Sequence, residues 1–119
     1  MQHMDETRGH IERLEEVFRE VGADPVGQTC KGMQGLVREA EQVVADDADD
    51  DVRDAGIIAA AQRMEHYEIA AYGTLATYAK TLGLERPLQL LLEVLEEEKA
   101  ADAALTEIAK GAVNARAMR

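Results

Sequence analysis

"RMEHYEIAAYGTL", residues 63–75, has the composition of a helix, yet its Glu65 and Glu68 fall on the line of positions that leads to Leu75. Alternating steps of three and four residues carry that line through Ile58, Ala61, Glu65, Glu68, Tyr72, Leu75, Ala79 and Leu82, the spacing of one helix face. Two carboxylates and a phenol occupy the middle of an otherwise apolar stripe. Downstream, Leu88, Leu91, Leu95, Glu98, Asp102, Leu105 and Ala109 repeat the arrangement, again with acid only at mid-height. If the two helices are antiparallel neighbours, four carboxylates converge inside a bundle. Such a group is unfavourable on its own, because burial penalises each charge and like charges repel. A divalent or trivalent cation among them is the expected answer. The competing reading is a partly hydrated seam, with protonated acids or side chains bent out to solvent.

The rest of the chain supplies the partners for these stripes. With 119 residues, rich in Ala, Leu and Glu and holding three Tyr, one Phe and no Trp, an all-α fold in a single domain, 1–119, is expected. A first helix over residues 1 to 21 carries Ile11, Leu14, Phe18 and Val21 at helical spacing and is closed by Gly22. A shorter second helix, residues 30 to 45, capped by Thr29, is suited to a crossover. "DDADDD" provides a solvated, negatively charged start for a third helix over residues 51 to 82, with Asp49 or Asp50 as its cap. Gly83 is placed to end that helix in a left-handed turn. "GLERP" then forces a tight reversal into a fourth helix reaching about residue 110, with Pro87 in its first turn.

Helix one adds Glu6 and His10, four residues apart and so on one face, with His3 a turn further back. The cleaner heptad of Thr7, Ile11, Leu14, Phe18 and Val21 sets these two on the flank rather than the centre. Glu6, His10, Glu65, Glu68, Glu98 and Asp102 form the candidate metal set. Oxygen donors with one imidazole suit iron or manganese better than zinc, and helical bundles assemble two-metal centres from such residues. Tyr72, one turn beyond Glu68, is the candidate catalytic side chain: a local electron donor, or a core phenol hydrogen-bonded to a ligand carboxylate. His66 reads as a structural or partly exposed histidine, and Met33 and Met64 as core filling. The lone Cys30 reads as a small buried residue.

A formal net charge of -11 repels a phosphate backbone, so nucleic acid is excluded as a natural partner. No apolar run is long enough to span a bilayer, and "MQHMDETRGH" lacks a signal-peptide core, so a cytoplasmic protein is expected.

"HMDETRGHIERLEEVF", "RDAGIIAAAQRMEHYEIAAYGTLATYA" and "LLEVLEEEKAADAALTEIA" resemble the signature blocks of the YciF-like family, bacterial stress-associated proteins of the ferritin-like superfamily. The resemblance implies a ferritin-like four-helix bundle with a di-iron site. It also implies a further long helix ahead of residue 1, which this chain does not contain, so completion by a homodimer or higher homo-oligomer is expected. Two departures stand out: the acid-to-ligand spacing is four rather than the usual Glu-x-x-His, and Asp102 stands where a histidine is usual. Two functions follow as expectations, an iron-dependent reaction with dioxygen or peroxide, and a non-catalytic role through self-association or protein partners.

Overall fold

Glycine placement sets the helix ends. In the computed structural model, which describes residues 2–118 and, for Gln2, His3 and Ala112, the backbone alone, helix α1 spans Gln2–Val21. His3 therefore lies outside the described side chains. Gly22 follows α1 at φ 71°, its N–H bonding the Arg19 carbonyl at 3.2 Å while Ala23 N–H reaches back to Phe18 at 3.0 Å. The same pair of bonds closes α3 (Asp50–Thr81): Gly83, at φ 72°, bonds Lys80 at 3.2 Å and Leu84 bonds Ala79 at 2.9 Å. Both turns need a left-handed residue to satisfy the last carbonyls, which glycine supplies without a Cβ clash. Between them lies α2 (Lys31–Ala45). Three residues separate α3 from α4 (Glu85–Ile108), the tight reversal expected from "GLERP". A π-helical turn, Ala109–Val113, and a final turn, α5 (Asn114–Ala117), complete the chain. All regular structure among the described residues is helical, so the fold is an all-α helical bundle.

The helices sort into two compact units, and α3 and α4 each contribute to both. In the unit formed by the chain up to Gln28 and by Glu68–Glu98, small residues permit close helix approach. Ala76, Ala79 and Leu91 are buried together, with Leu14, Val17, Tyr72, Leu84 and Leu88 packed around them. The first half of α4 is the most deeply set element of this unit, burying Leu90, Leu91, Val94 and Leu95. That is a wider apolar face than the single stripe read from the sequence. Two stripe positions on α3 turn outward: Leu75 is 43% exposed and Leu82 71%. They line an apolar groove with Leu14, Phe18, Val21 and Tyr78. An apolar side chain at helical spacing finds the interior only where a neighbouring helix covers it, and here no described helix of the unit does.

The other unit joins Thr29–Tyr67 to the chain from Lys99 onward. Ile58, Ala109 and Val113 form its core, with Ala55 and Leu105 against them. Helix α2 buries no residue fully, but it lies close along α3. A Cβ on Gly56 would come within 2.8 Å of Val43, and one on Gly32 within 2.8 Å of the Tyr67 ring. The start of α2 thus meets Tyr67 and its end meets Gly56, an antiparallel arrangement. The acidic connection before α3 is organised by Arg53, which donates to the Asp46 and Ala48 carbonyls at 2.9 Å each and to Asp50 at 3.0 Å.

Cys30, not Thr29, caps α2, accepting the Met33 N–H at 3.4 Å. The cysteine is exposed rather than buried, because the cap position stands outside the packed face of the helix. Its sulfur lies 2.9 Å from the Tyr67 hydroxyl. That hydrogen bond, helped by the Met33 and Gly32 N–H groups, lowers the thiol below its ordinary pKa, while the nearby sulfur pushes the Tyr67 phenol up. Alkylation of Cys30 by iodoacetamide should therefore follow pH with a midpoint below that of free cysteine. Tyr67→Phe should move the midpoint up, and an unmoved midpoint would remove Tyr67 as the cause.

Candidate metal centre

Glu68 lies on α3 and Glu98 on α4, and each offers a carboxylate oxygen within 4.8 Å of the other's. One turn before Glu68 on the same helix, Glu65 brings an oxygen within 4.8 Å of that of Glu68. Their burial is unequal to their charge. Glu65 is 6% exposed, and its Oε2 is fully buried with no hydrogen-bond partner. Glu98 is also buried, and Glu68 is half-buried. Carboxylate oxygens spaced closely enough to share one ion, one of them buried without a donor, fit the oxygen-rich coordination of a hard cation.

The remaining candidates divide by helix. His10 is 8% exposed, not on the flank. Its Nδ1 lies 3.1 Å from Glu98 Oε1 and its Nε2 2.6 Å from Glu97 Oε2. The inward face of α1 is thus rotated by one position from the apolar heptad, and Ile11 is exposed instead. Periodicity alone cannot choose between adjacent faces when a buried imidazole finds a partner on each ring nitrogen. Glu6, one turn before His10, is half-buried and falls outside the close carboxylate group. Asp102 also falls outside it. Its Oδ1 pairs with the exposed His66 at 3.2 Å, while its backbone carbonyl accepts from Gln62 at 3.4 Å and Thr106 at 3.2 Å.

Tyr72 packs at the edge of the site. Burial, then the charges of Glu68 and Glu98, push its phenol up to about 12, so it stays protonated at neutral pH. As an electron donor it would have to lose a proton together with the electron.

Sequence reasoning missed Arg13 and Glu97. The Arg13 guanidinium holds both Glu97 oxygens, Nη1 to Oε2 at 2.9 Å and Nη2 to Oε1 at 3.0 Å, and its Nε lies 3.3 Å from Glu93. The Arg13 hydrogen bonds, opposed by burial and aided by His10, hold the Glu97 carboxyl below the usual carboxylate range. Together with Arg86 on Glu16 at 3.1 Å, these bonds form a polar seam joining α1 to an antiparallel α4. The available signal was the spacing of Glu93 and Glu97 one turn apart, but charged pairs on helix surfaces are too common to single out.

Residues 1–118 match the family described as "Domain of unknown function (DUF892)". Protein YciF of Escherichia coli (strain K12) is 48% identical over 116 residues, covering 97% of this chain and 70% of that protein. The chain belongs to the DUF892 family. The crystal structure of the E. coli stress protein YciF matches with a TM-score of 0.90 at 47% identity, over 95% of this chain and 72% of that one. YcfI from Rhodopseudomonas palustris matches with a TM-score of 0.84 at 45% identity, over 88% and 67%. These likenesses bear out the family resemblance carried by the three sequence blocks. No described helix of this DUF892 chain is long and apolar enough to cross a membrane.

Proposed function

We propose that this DUF892 protein is a ferritin-like carboxylate protein that binds iron and reacts with dioxygen or peroxide in the cytoplasm under stress. The observation that carries the reading is Glu65, buried with an orphaned oxygen beside Glu68, whose neighbour on α4 is Glu98. A carboxylate in that position is costly unless a cation shares it. Glu65, Glu68 and Glu98 would hold the metal, with His10 as the nearest nitrogen donor. Glu6, one turn before His10, and Asp102, one turn beyond Glu98, are the candidates for a second position. Iron in such a site supplies electrons to an oxidant. The chain's own part is to hold the carboxylates close, to keep Tyr72 protonated beside them and to seat His10 against Glu98. That E. coli YciF is described as a stress protein is in keeping with this role.

Anaerobic loading with Fe(II), elemental analysis and mass determination test the proposal. Retained iron that consumes hydrogen peroxide, lost in a Glu65→Ala, Glu98→Ala double variant, is expected. Equal iron retention by that variant would overturn it.

The groove bearing exposed Leu75, Tyr78 and Leu82 favours a second reading, a non-catalytic role in which this surface meets a second copy of the chain. That reading expects the same oligomer with chelator as with Fe(II), and a shift to monomer on Leu82→Glu.

A further inference from the structure

Resting on the metal-binding reading, we propose that Glu97, pinned by Arg13, is the positioning residue that presents His10 Nδ1 to Glu98 and the carboxylate centre. His10 is buried and meets a carboxylate at each ring nitrogen, Glu97 at 2.6 Å on Nε2 and Glu98 at 3.1 Å on Nδ1. An imidazole ring can turn over and exchange its two edges. Only the identity and rigidity of its partners decide which nitrogen faces the centre.

Glu97 is itself held in place. Both of its oxygens are engaged by the two-pronged Arg13 guanidinium at 2.9 and 3.0 Å, and the oxygen shared with Nη1 is the one that meets His10. A bidentate arginine fixes a carboxylate in plane as well as in distance. Arg13 is braced in turn by Glu93 at 3.3 Å. On α1, His10 and Arg13 lie one turn apart, and on α4 Glu93 and Glu97 do, so two regular helices carry the whole clamp. An ionised carboxylate only accepts, so the hydrogen facing Glu97 belongs to Nε2. Nδ1 faces Glu98 Oε1 at 3.1 Å, and the hydrogen between those two atoms in the metal-free protein is the one that a cation at Glu98 would displace. Outer partners of this kind orient ligating imidazoles and typically alter metal affinity by about 10- to 100-fold when removed.

The test compares Glu97→Ala, Glu97→Gln and Arg13→Gln with the wild type. The first readout is the ¹⁵N spectrum of metal-free protein labelled at histidine, with the His10 signal assigned by His10→Gln. The second is the anaerobic Fe(II) dissociation constant. In the wild type a slowly exchanging Nε2–H of His10 is expected. Glu97→Gln, whose amide oxygen still accepts, should keep that signal and bind Fe(II) within about threefold of the wild type. Glu97→Ala should lose it and weaken Fe(II) binding by about 10- to 100-fold. If Glu97→Ala fails to fold, Arg13→Gln, which frees the carboxylate without deleting it, should broaden the His10 signal and weaken binding in the same direction. An unchanged His10 spectrum in Glu97→Ala, or in Arg13→Gln where Glu97→Ala does not fold, would overturn the proposal. So would equal loss in Glu97→Gln and Glu97→Ala. Failure of the wild type to bind Fe(II) would remove the metal reading, while the metal-free spectra would still decide whether Glu97 sets the ring.

Discussion

Mn(II) at one hundred times its dissociation constant should raise the melting temperature of the metal-free protein by roughly 10 °C. A ligand bound only by the folded state adds about 2.7 kcal/mol at that excess, and each kcal/mol moves the midpoint of a chain this size by about 4 °C. Glu65→Gln is the informative variant. It keeps the shape of the side chain but removes one charge from two close carboxylates on adjacent turns of α3. Without metal, the variant should melt at or above the wild-type temperature, because charge repulsion is relieved and an uncompensated buried carboxylate is replaced by a neutral amide. With metal, the gain should nearly vanish. A hundredfold weaker affinity leaves only about 0.4 kcal/mol, or roughly 2 °C, at the same Mn(II) concentration. The pair of outcomes, higher without metal and lower with it, separates a ligand from a merely structural acid. Calorimetric scans of both proteins with and without Mn(II) measure it. A variant that melts lower without metal and keeps the full Mn(II) gain would place the binding elsewhere.

Leu91→Ala should cost roughly 3 kcal/mol of stability, whereas Leu82→Ala should cost less than about 1 kcal/mol. Both residues sit on apolar stripes and look equivalent in sequence. Leu91 is 4% exposed and packed with Ala76 and Ala79, so truncation leaves a cavity that neighbouring alanines cannot fill. Leu82 stands at the end of α3 with most of its surface in water, and little apolar area is lost with it. Urea unfolding followed by circular dichroism should show a lower midpoint with an unchanged slope for Leu91→Ala. Similar midpoints for the two variants would mean that Leu82 is covered in solution, as the second functional reading requires.

Much of this was legible in the residues. Gly22 and Gly83 ended their helices where expected, since no other residue so readily takes the left-handed conformation that closes a helix. Glu65, Glu68 and Glu98 were readable because acid in the middle of an apolar stripe is conspicuous against its neighbours. His10 was harder. Its helix offered two adjacent faces of similar apolar content, and the heptad favoured the one that carries Ile11. The choice was made by Glu97 and Glu98 on α4, which satisfy both ring nitrogens. Asp102 shared the stripe with Glu98 but pairs with His66, because direction along a helix does not say which neighbour a side chain will meet.

By itself, the sequence determined the helical class, the order of the four main helices, the glycine-closed ends of two of them, and the acidic middle of two. These are local properties, set by propensity, glycine and the 3.6-residue period. Only the tertiary structure decided which face of α1 turns inward, that Cys30 caps α2 against Tyr67, that Leu75 and Leu82 stay exposed, and that Arg13 locks Glu97 onto His10. Each of those depends on what a neighbouring helix presents at a given height, and a period read along one helix carries no information about the side chains standing opposite.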